Sequence, residues 1–285
     1  MIEFDINRNI GGALTSLKWN GVEMLHQPGG KTWSGQDHCI FPFTGALADG
    51  FYLHNGKKYE MKIHGLLNYM KPIVLIDLPE HKRVLFSADK ETLKKYPFNF
   101  DVFVDYTPDE NGITISMEVI NKGNETMPFY LGWHPAIQIP FDIHGEDVVM
   151  RPISLELEGV SNYRTHKIAD GRYCYEEFDE FKGNIIEMKS TDFVNGASTL
   201  LSSKGIESIV MRREDDVLVK YELGGAPVVT IWTMEKQSNY VCVEPWWGMP
   251  DGNPLSREIS EKKMILKALP GESIKKSYRI SFYIK

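Results

Sequence analysis

Hydrophobic and polar positions alternate with period two along most of the chain. Ile2, Phe4 and Ile6 are separated by polar residues, and Leu14 to Trp19 reads as a second short strand. Asn20-Gly21 follows, a pair suited to a type I′ hairpin because both central positions need positive φ. Asn55-Gly56 repeats that signal between Tyr52 and Tyr59. After the turn Asp109-Glu110-Asn111-Gly112, the residues Ile113, Ile115, Met117 and Val119 alternate with Thr114, Ser116 and Glu118. Later strands are expected at Val217 to Leu223, Val228 to Thr233 and Tyr240 to Val243, and a last one carries Tyr278, Ile280, Phe282 and Ile284 on one face. This is the pattern of half-buried antiparallel strands.

One segment reads as a helix. Ser87-Ala88-Asp89 can cap Lys90 to Tyr96, Lys94 and Lys95 suit its C-terminal end, and Pro97 stops it. A weaker helical pattern covers Glu258 to Lys263. Many short strands with regular turns predict an all-β fold, a large antiparallel β-sandwich with one or two short helices. No repeat, low-complexity stretch or linker breaks the chain, so a single domain over residues 1–285 is the simplest expectation.

Composition narrows the function classes. A chain of 285 residues can bury a sizeable core without disulfides or metals. Its net charge of −7 argues against a nucleic-acid partner. The run Arg212-Arg213-Glu214-Asp215-Asp216 changes sign and reads as a solvated turn. Cys39, Cys174 and Cys242 are odd in number and lack CxxC spacing, which suits reduced thiols in the cytoplasm. The N-terminus has no signal-peptide pattern. No apolar run approaches the roughly 20 residues of a membrane span, so no membrane partner is expected. An exposed strand edge would leave a homodimer open.

Several motifs fail. Gly30-Lys31-Thr32 resembles the end of a phosphate-binding loop, but Leu25 stands where that loop needs glycine. There is no GxGxxG after a strand, no GxSxG elbow and no HExxH. His38, Cys39, His54 and His64 match no zinc-ligand spacing.

Three segments carry candidate chemistry. In Lys62-Ile63-His64-Gly65 a histidine is expected at a strand end, where the turn can project its ring into a cleft; alone, such a residue more often bonds a nearby carbonyl. In Gly132-Trp133-His134-Pro135 the proline stiffens a histidine beside an indole, the alternative being a packed turn. In Tyr240 to Gly248, Glu244 is expected to end an apolar strand. A carboxylate there is costly to bury unless paired or functional. Trp246 and Trp247 offer flat apolar faces with a polar N–H.

Together these segments resemble the aldose 1-epimerase (galactose mutarotase-like) family, in its compact bacterial branch. The motifs are Phe41-Pro42-Phe43-Thr44-Gly45, His64-Gly65, Gly132-Trp133-His134-Pro135 and Glu244-Pro245-Trp246, in that order. Gly12-Ala13, Tyr96-Pro97-Phe98 and the turn Leu269-Pro270-Gly271-Glu272 also fit, so the resemblance covers essentially the whole chain. It implies a galactose mutarotase-like supersandwich, a monosaccharide substrate, and neither cofactor nor metal. It further implies that Glu244 is the general base on the anomeric hydroxyl, that His134 is the acid on the ring oxygen, and that His64 holds and polarises the sugar. Ordinary Glu and His side chains titrate near 4.3 and 6.5, which suits reversible proton transfer at neutral pH.

The chain departs from the family at two places, the first after His64-Gly65, where an arginine often follows closely and Leu66-Leu67-Asn68 stands here. The family commonly has an arginine directly after the FP-x-x-G segment, and Ala46 stands there. Lys62, two residues before His64 and on its face if this is a strand, is a candidate replacement. Trp133, Trp246, Trp247 and Asn68 complete the expected sugar-binding set. The second functional reading is a non-catalytic carbohydrate-binding or sensing protein on the same fold, supported by Ala46. A third is an enzyme for a phosphorylated or acidic sugar. Such a substrate would want cations in the pocket, and the missing arginine weakens that reading.

Overall fold

The computed structural model describes residues 1–29, 33–138, 153–169, 171–188, 198–214, 216–234 and 239–283. Gly30-Lys31-Thr32, Asp215 and Ile284 lie outside these residues. Two large sheets dominate. The first has nine antiparallel strands in the order Ile185–Met188, Ile153–Glu158, Ser208–Arg213, Asp216–Glu222, Ser273–Phe282, Gly112–Asn121, Phe100–Pro108, His81–Ser87 and Ile73–Leu78. The second runs Gly252–Asn253, Arg172–Lys182, Asn162–Ala169, Thr199–Ser202, Val228–Trp232, Tyr240–Trp247, Leu131–Trp133 and Cys39–Ile40, with Ala136–Gln138 also paired to Tyr240–Trp247. Among its described pairs, only Arg172–Lys182 with Gly252–Asn253 is parallel.

The alternation read from the sequence decides which face each residue takes. Ile113, Ile115, Met117 and Val119 are fully buried in the core between the sheets. From the second sheet, Val229, Ile231, Val241, Val243 and Trp247 enter the same core. Their neighbours Val228 and Trp246 belong to a separate apolar cluster on the other face, and Cys242 to another. Strands Val228–Trp232 and Tyr240–Trp247 therefore each serve two interiors, the sandwich core and the floor of a cleft.

Both Asn-Gly turns form as expected, with positive φ at Asn20, Gly21, Asn55 and Gly56. The helix is shorter than the pattern suggests. It covers only Lys90–Leu93, capped by Asp89, whose carboxylate accepts from the Thr92 N–H while the Thr92 hydroxyl is hydrogen-bonded to Asp89. The Glu258–Lys263 pattern yields a 3-10 turn at Ile259–Glu261. Neither segment has the length to sustain a helix without tertiary support. The strand expected to end at Glu244 continues through Trp247, so Glu244 lies in its interior. The strand before His64 ends at Glu60, so Lys62 and His64 are on a loop and the period-two face argument does not apply to them. The three cysteines are free and buried. Among the described residues no helix is long and apolar enough to cross a membrane.

Candidate active site

The cleft above the second sheet has a volume of about 620 Å³ and is lined by His64, His134 and Glu244 among others. Glu244 and Thr230 are opposite each other on adjacent strands, and Val228 is opposite Trp246. Glu244 and Trp246 line the cleft while Val243 and Trp247 enter the core, as a pleated strand requires. Gly132, next to Trp246 on the following strand, has no room for a side chain. A Cβ there would come within 2.7 Å of the indole and 2.9 Å of the Pro245 carbonyl oxygen.

His64 is fixed by the loop that follows Phe41-Pro42. Its backbone N–H donates to the Gly45 carbonyl at 3.0 Å, and the Gly45 N–H donates back to Nδ1 of its ring at 3.3 Å. A ring nitrogen that accepts carries no proton, so the hydrogen of the neutral imidazole is on Nε2. The backbone at His64 is left-handed, with φ 62°. Gly65 follows at φ 79°, and a Cβ there would lie 2.2 Å from the Phe41 carbonyl oxygen. The histidine-glycine pair is thus a conformational requirement of the loop as well as a chemical one.

His134 follows strand Leu131–Trp133 and is packed between two indoles. Trp33 stacks on it at 4.8 Å between ring centroids, and Trp232 meets it edge-on at 5.3 Å. Its Nε2 lies 3.4 Å from Oε1 of Glu244, and only 1% of the Glu244 surface is exposed. Burial, reinforced by the fields of His64 and His38, holds His134 well below its ordinary value. Burial pushes the Glu244 carboxyl well above its own, opposed by the nearby Trp246 indole and assisted by the charge of Asp37. His64 is pushed down to about 3 by burial and by His38. Thr230 Oγ1, Glu244 Oε2 and Trp246 Nε1 are buried polar atoms of cleft residues that make no hydrogen bond among the described residues. A ligand dense in hydroxyls can satisfy such atoms.

Several expected sugar-binding residues lie elsewhere. Lys62 lines a different cavity of about 680 Å³, with its ammonium 4.4 Å from the centre of the Tyr69 ring. Asn68 lies in the 3-10 turn Leu67–Tyr69 against Gly11. Trp133 and Trp247 are core residues in edge-to-face contact at 5.7 Å, and Trp133 also packs on Tyr278. Each adjoins a cleft residue in sequence and therefore points to the opposite face. Trp246 alone of the expected tryptophans lines the cleft.

Other cleft residues are not legible in the sequence. His38, whose local context suggests nothing beyond a failed zinc pattern, lines the cleft with its ring 5.7 Å from that of His134. Trp33, Trp232, Thr230, Arg172 and Tyr173 also line it. Alternation gives such residues a face but not the bend of the sheet that brings distant strands together. Donor atoms of His134, Cys242 and Glu244 lie within 4.8 Å of one another, a set of types that could bind a divalent ion. Burial, with Glu244 and Asp37, pushes the Cys242 thiol well above its ordinary value.

The aldose 1-epimerase family model matches residues 8–281, and the chain belongs to that family. A curated relative is Protein LacX of Lactococcus lactis subsp. lactis, 26% identical over 96% of this chain and 94% of its own. Among solved structures, a galactose mutarotase related enzyme from Lactobacillus acidophilus superposes with a TM-score of 0.89 at 24% identity, covering 100% of this chain and 98% of its own. A galactose mutarotase-like protein from Lactobacillus casei gives 0.87 at 22% identity, over 99% and 97%. At these identities the structural likenesses establish the fold.

Proposed function

We propose that this protein is an aldose 1-epimerase that interconverts the α and β anomers of an aldose, with Glu244, His134 and His64 as its catalytic set. The observation that carries the reading is the buried His134–Glu244 pair, 3.4 Å apart on the wall of a cleft that His64 also lines. Mutarotation moves one proton from the anomeric hydroxyl and delivers one to the ring oxygen, so a pair holding a single proton matches its stoichiometry. Before a sugar binds, burial favours the uncharged arrangement, with the proton on Glu244 and His134 neutral. Sugar hydroxyls entering the cleft stabilise the charged arrangement, in which the proton has crossed to His134.

Glu244 then takes the proton from O1 as the C1–O5 bond breaks, and His134 gives its proton to O5. The open aldehyde rotates about C1–C2. The same two groups return the protons in reverse as O5 attacks the other face of C1. His64, held as the Nε2–H tautomer, donates to the sugar and needs no change of protonation. These side chains balance every proton in the sequence of steps.

The test is polarimetry of freshly dissolved α-glucose and α-galactose with the parent protein and with Glu244→Gln. Accelerated decay of rotation with the parent and none with the variant is expected. Equal acceleration by both would remove Glu244 from the mechanism, and no acceleration of any aldose would leave the sugar-binding reading on the same fold.

A further inference from the structure

The cation missing at position 46 has a counterpart from another part of the chain. Arg172 begins strand Arg172–Lys182 and lines the cleft together with Ala46. Its backbone is held by pairing with Ala169, and the next residue, Tyr173, pairs with Gly252. The Tyr173 hydroxyl donates to the Ser198 carbonyl at 2.7 Å, so this wall is built from fixed elements. The Arg172 side chain is half-buried, and among the described residues it makes no hydrogen bond or ion pair.

Among the described residues, the other ionisable groups lining the cleft are compensated or neutral. Asp251 is ion-paired to the buried Lys262 ammonium and also accepts from the Ala48 N–H at 3.0 Å. Burial holds His38, His64 and His134 in their neutral forms and favours a protonated Glu244. The Asp49 carboxylate, which feels the Arg172 charge, is already bound by Arg257. Among the described residues, Arg172 therefore presents to the cleft a positive charge that no ion pair compensates. Ala46 is exposed, lines the same cleft and takes up little of its space. A planar fork of N–H donors in that setting suits a carboxylate or phosphate, which it can hold by two parallel hydrogen bonds.

We infer that Arg172 is the specificity-determining residue of the cleft, binding an anionic substituent of the sugar, and that the preferred substrate is an aldose bearing a phosphate or carboxylate away from C1. This inference rests on the mutarotase reading for its chemistry, but the binding it requires does not. The experiment compares galactose, galactose 6-phosphate and galacturonate, each corrected for its spontaneous rate, with the parent, Arg172→Met and Arg172→Lys. The parent is expected to favour one anionic sugar over galactose by about tenfold or more in kcat/KM, the size of a charge-assisted paired contact. Arg172→Met should collapse that ratio, chiefly through KM, and Arg172→Lys should restore part of it.

Preference for the phosphate or for the carboxylate identifies the substituent. A parent with no preference for either anion, or a ratio unchanged in Arg172→Met, overturns the inference. If no sugar is turned over, calorimetry with galactose 6-phosphate and galacturonate separates the two readings. Binding of either by the parent that is lost in Arg172→Met keeps the Arg172 assignment while mutarotation fails, and absence of binding sinks the assignment as well. Thermal melting of each variant confirms that the fold is intact.

Discussion

Nε2 of His134 and Oε1 of Glu244 stand 3.4 Å apart with both side chains withdrawn from solvent. On the proposed mechanism the pair carries one proton over the pH range between the lowered His134 and the raised Glu244. In acid a second proton occupies His134; in alkali the pair loses its only one. The pH profile of kcat/KM is expected to be a broad bell whose two limbs belong to the pair rather than to either residue. Glu244→Gln and His134→Asn should each lower turnover by about a hundredfold or more, the usual contribution of general acid–base catalysis. A single-limbed profile in the parent, or near-parent turnover in either variant, would contradict the shared-proton model.

Stability should fall in mild acid. His38 and His64 are held neutral down to about pH 4 and 3, against 6.5 in the unfolded chain. As pH drops below 6.5 the unfolded chain therefore binds protons that the folded one refuses. Asp37 acts in the opposite sense. Its carboxyl is raised to about 6 by burial, so the folded state gains a proton first and is favoured as pH falls below that value. His134 and His166 are lowered as well and Glu244 is raised as well, so among the described residues four histidines stand against two carboxyls and the balance is a net loss of stability between neutrality and pH 4. Urea midpoints at pH 7 and pH 5 should differ accordingly, with a smaller difference in His64→Asn and a larger one in Asp37→Asn. Equal midpoints in the parent would refute the balance.

The two neighbouring tryptophans should separate cleanly. Trp247→Ala removes a core side chain and is expected to cost about 3–5 kcal/mol of stability. Trp246→Ala, on the cleft face, should raise KM with a smaller loss of stability. Lys62→Met should leave sugar affinity unchanged, because its ammonium faces Tyr69 in the other cavity. Measured melting temperatures and KM values decide all three, and a weakened affinity in Lys62→Met would reinstate that residue as a sugar ligand.

Gly65→Ala is expected to be among the most damaging single changes in the chain. It places a Cβ against the Phe41 carbonyl and forces a left-handed backbone on an L side chain, costing about 1–3 kcal/mol in strain before the clash is counted. His64→Asn should behave differently, since asparagine tolerates that backbone region. It should keep most of the melting temperature while losing turnover. A His64→Asn protein as unstable as the Gly65→Ala protein would show that the imidazole is structural.

How much can be read in advance follows from what alternation encodes. Ile113 to Val119 and Tyr240 to Val243 announce their strands and their buried faces, because period two is a local property. His64, His134 and Glu244 stand out through their short flanking motifs. Long-range geometry is where the sequence misleads. Period two would put Lys62 beside His64, but the strand it needs ends at Glu60. Trp133 and Trp247 are neighbours of cleft residues in sequence, and neighbours on a strand take opposite faces. Arg172 and His38 carry no local signal at all. Only the pairing of Tyr173 with Gly252, and of Cys39 with Trp133, brings those segments to the cleft.

The cleft residues are drawn from positions 33 to 251, and strand Tyr240–Trp247 must insert between Val228–Trp232 and strands from the first half of the chain before Glu244 meets His134. Until those strands pair, His134 and Glu244 are not brought together. Under the proposed reaction, the optical rotation of a sugar solution becomes a clock for folding. Diluted from urea into fresh α-anomer, the chain stays silent until its most distant segments have met, and the onset of mutarotation times that final closure.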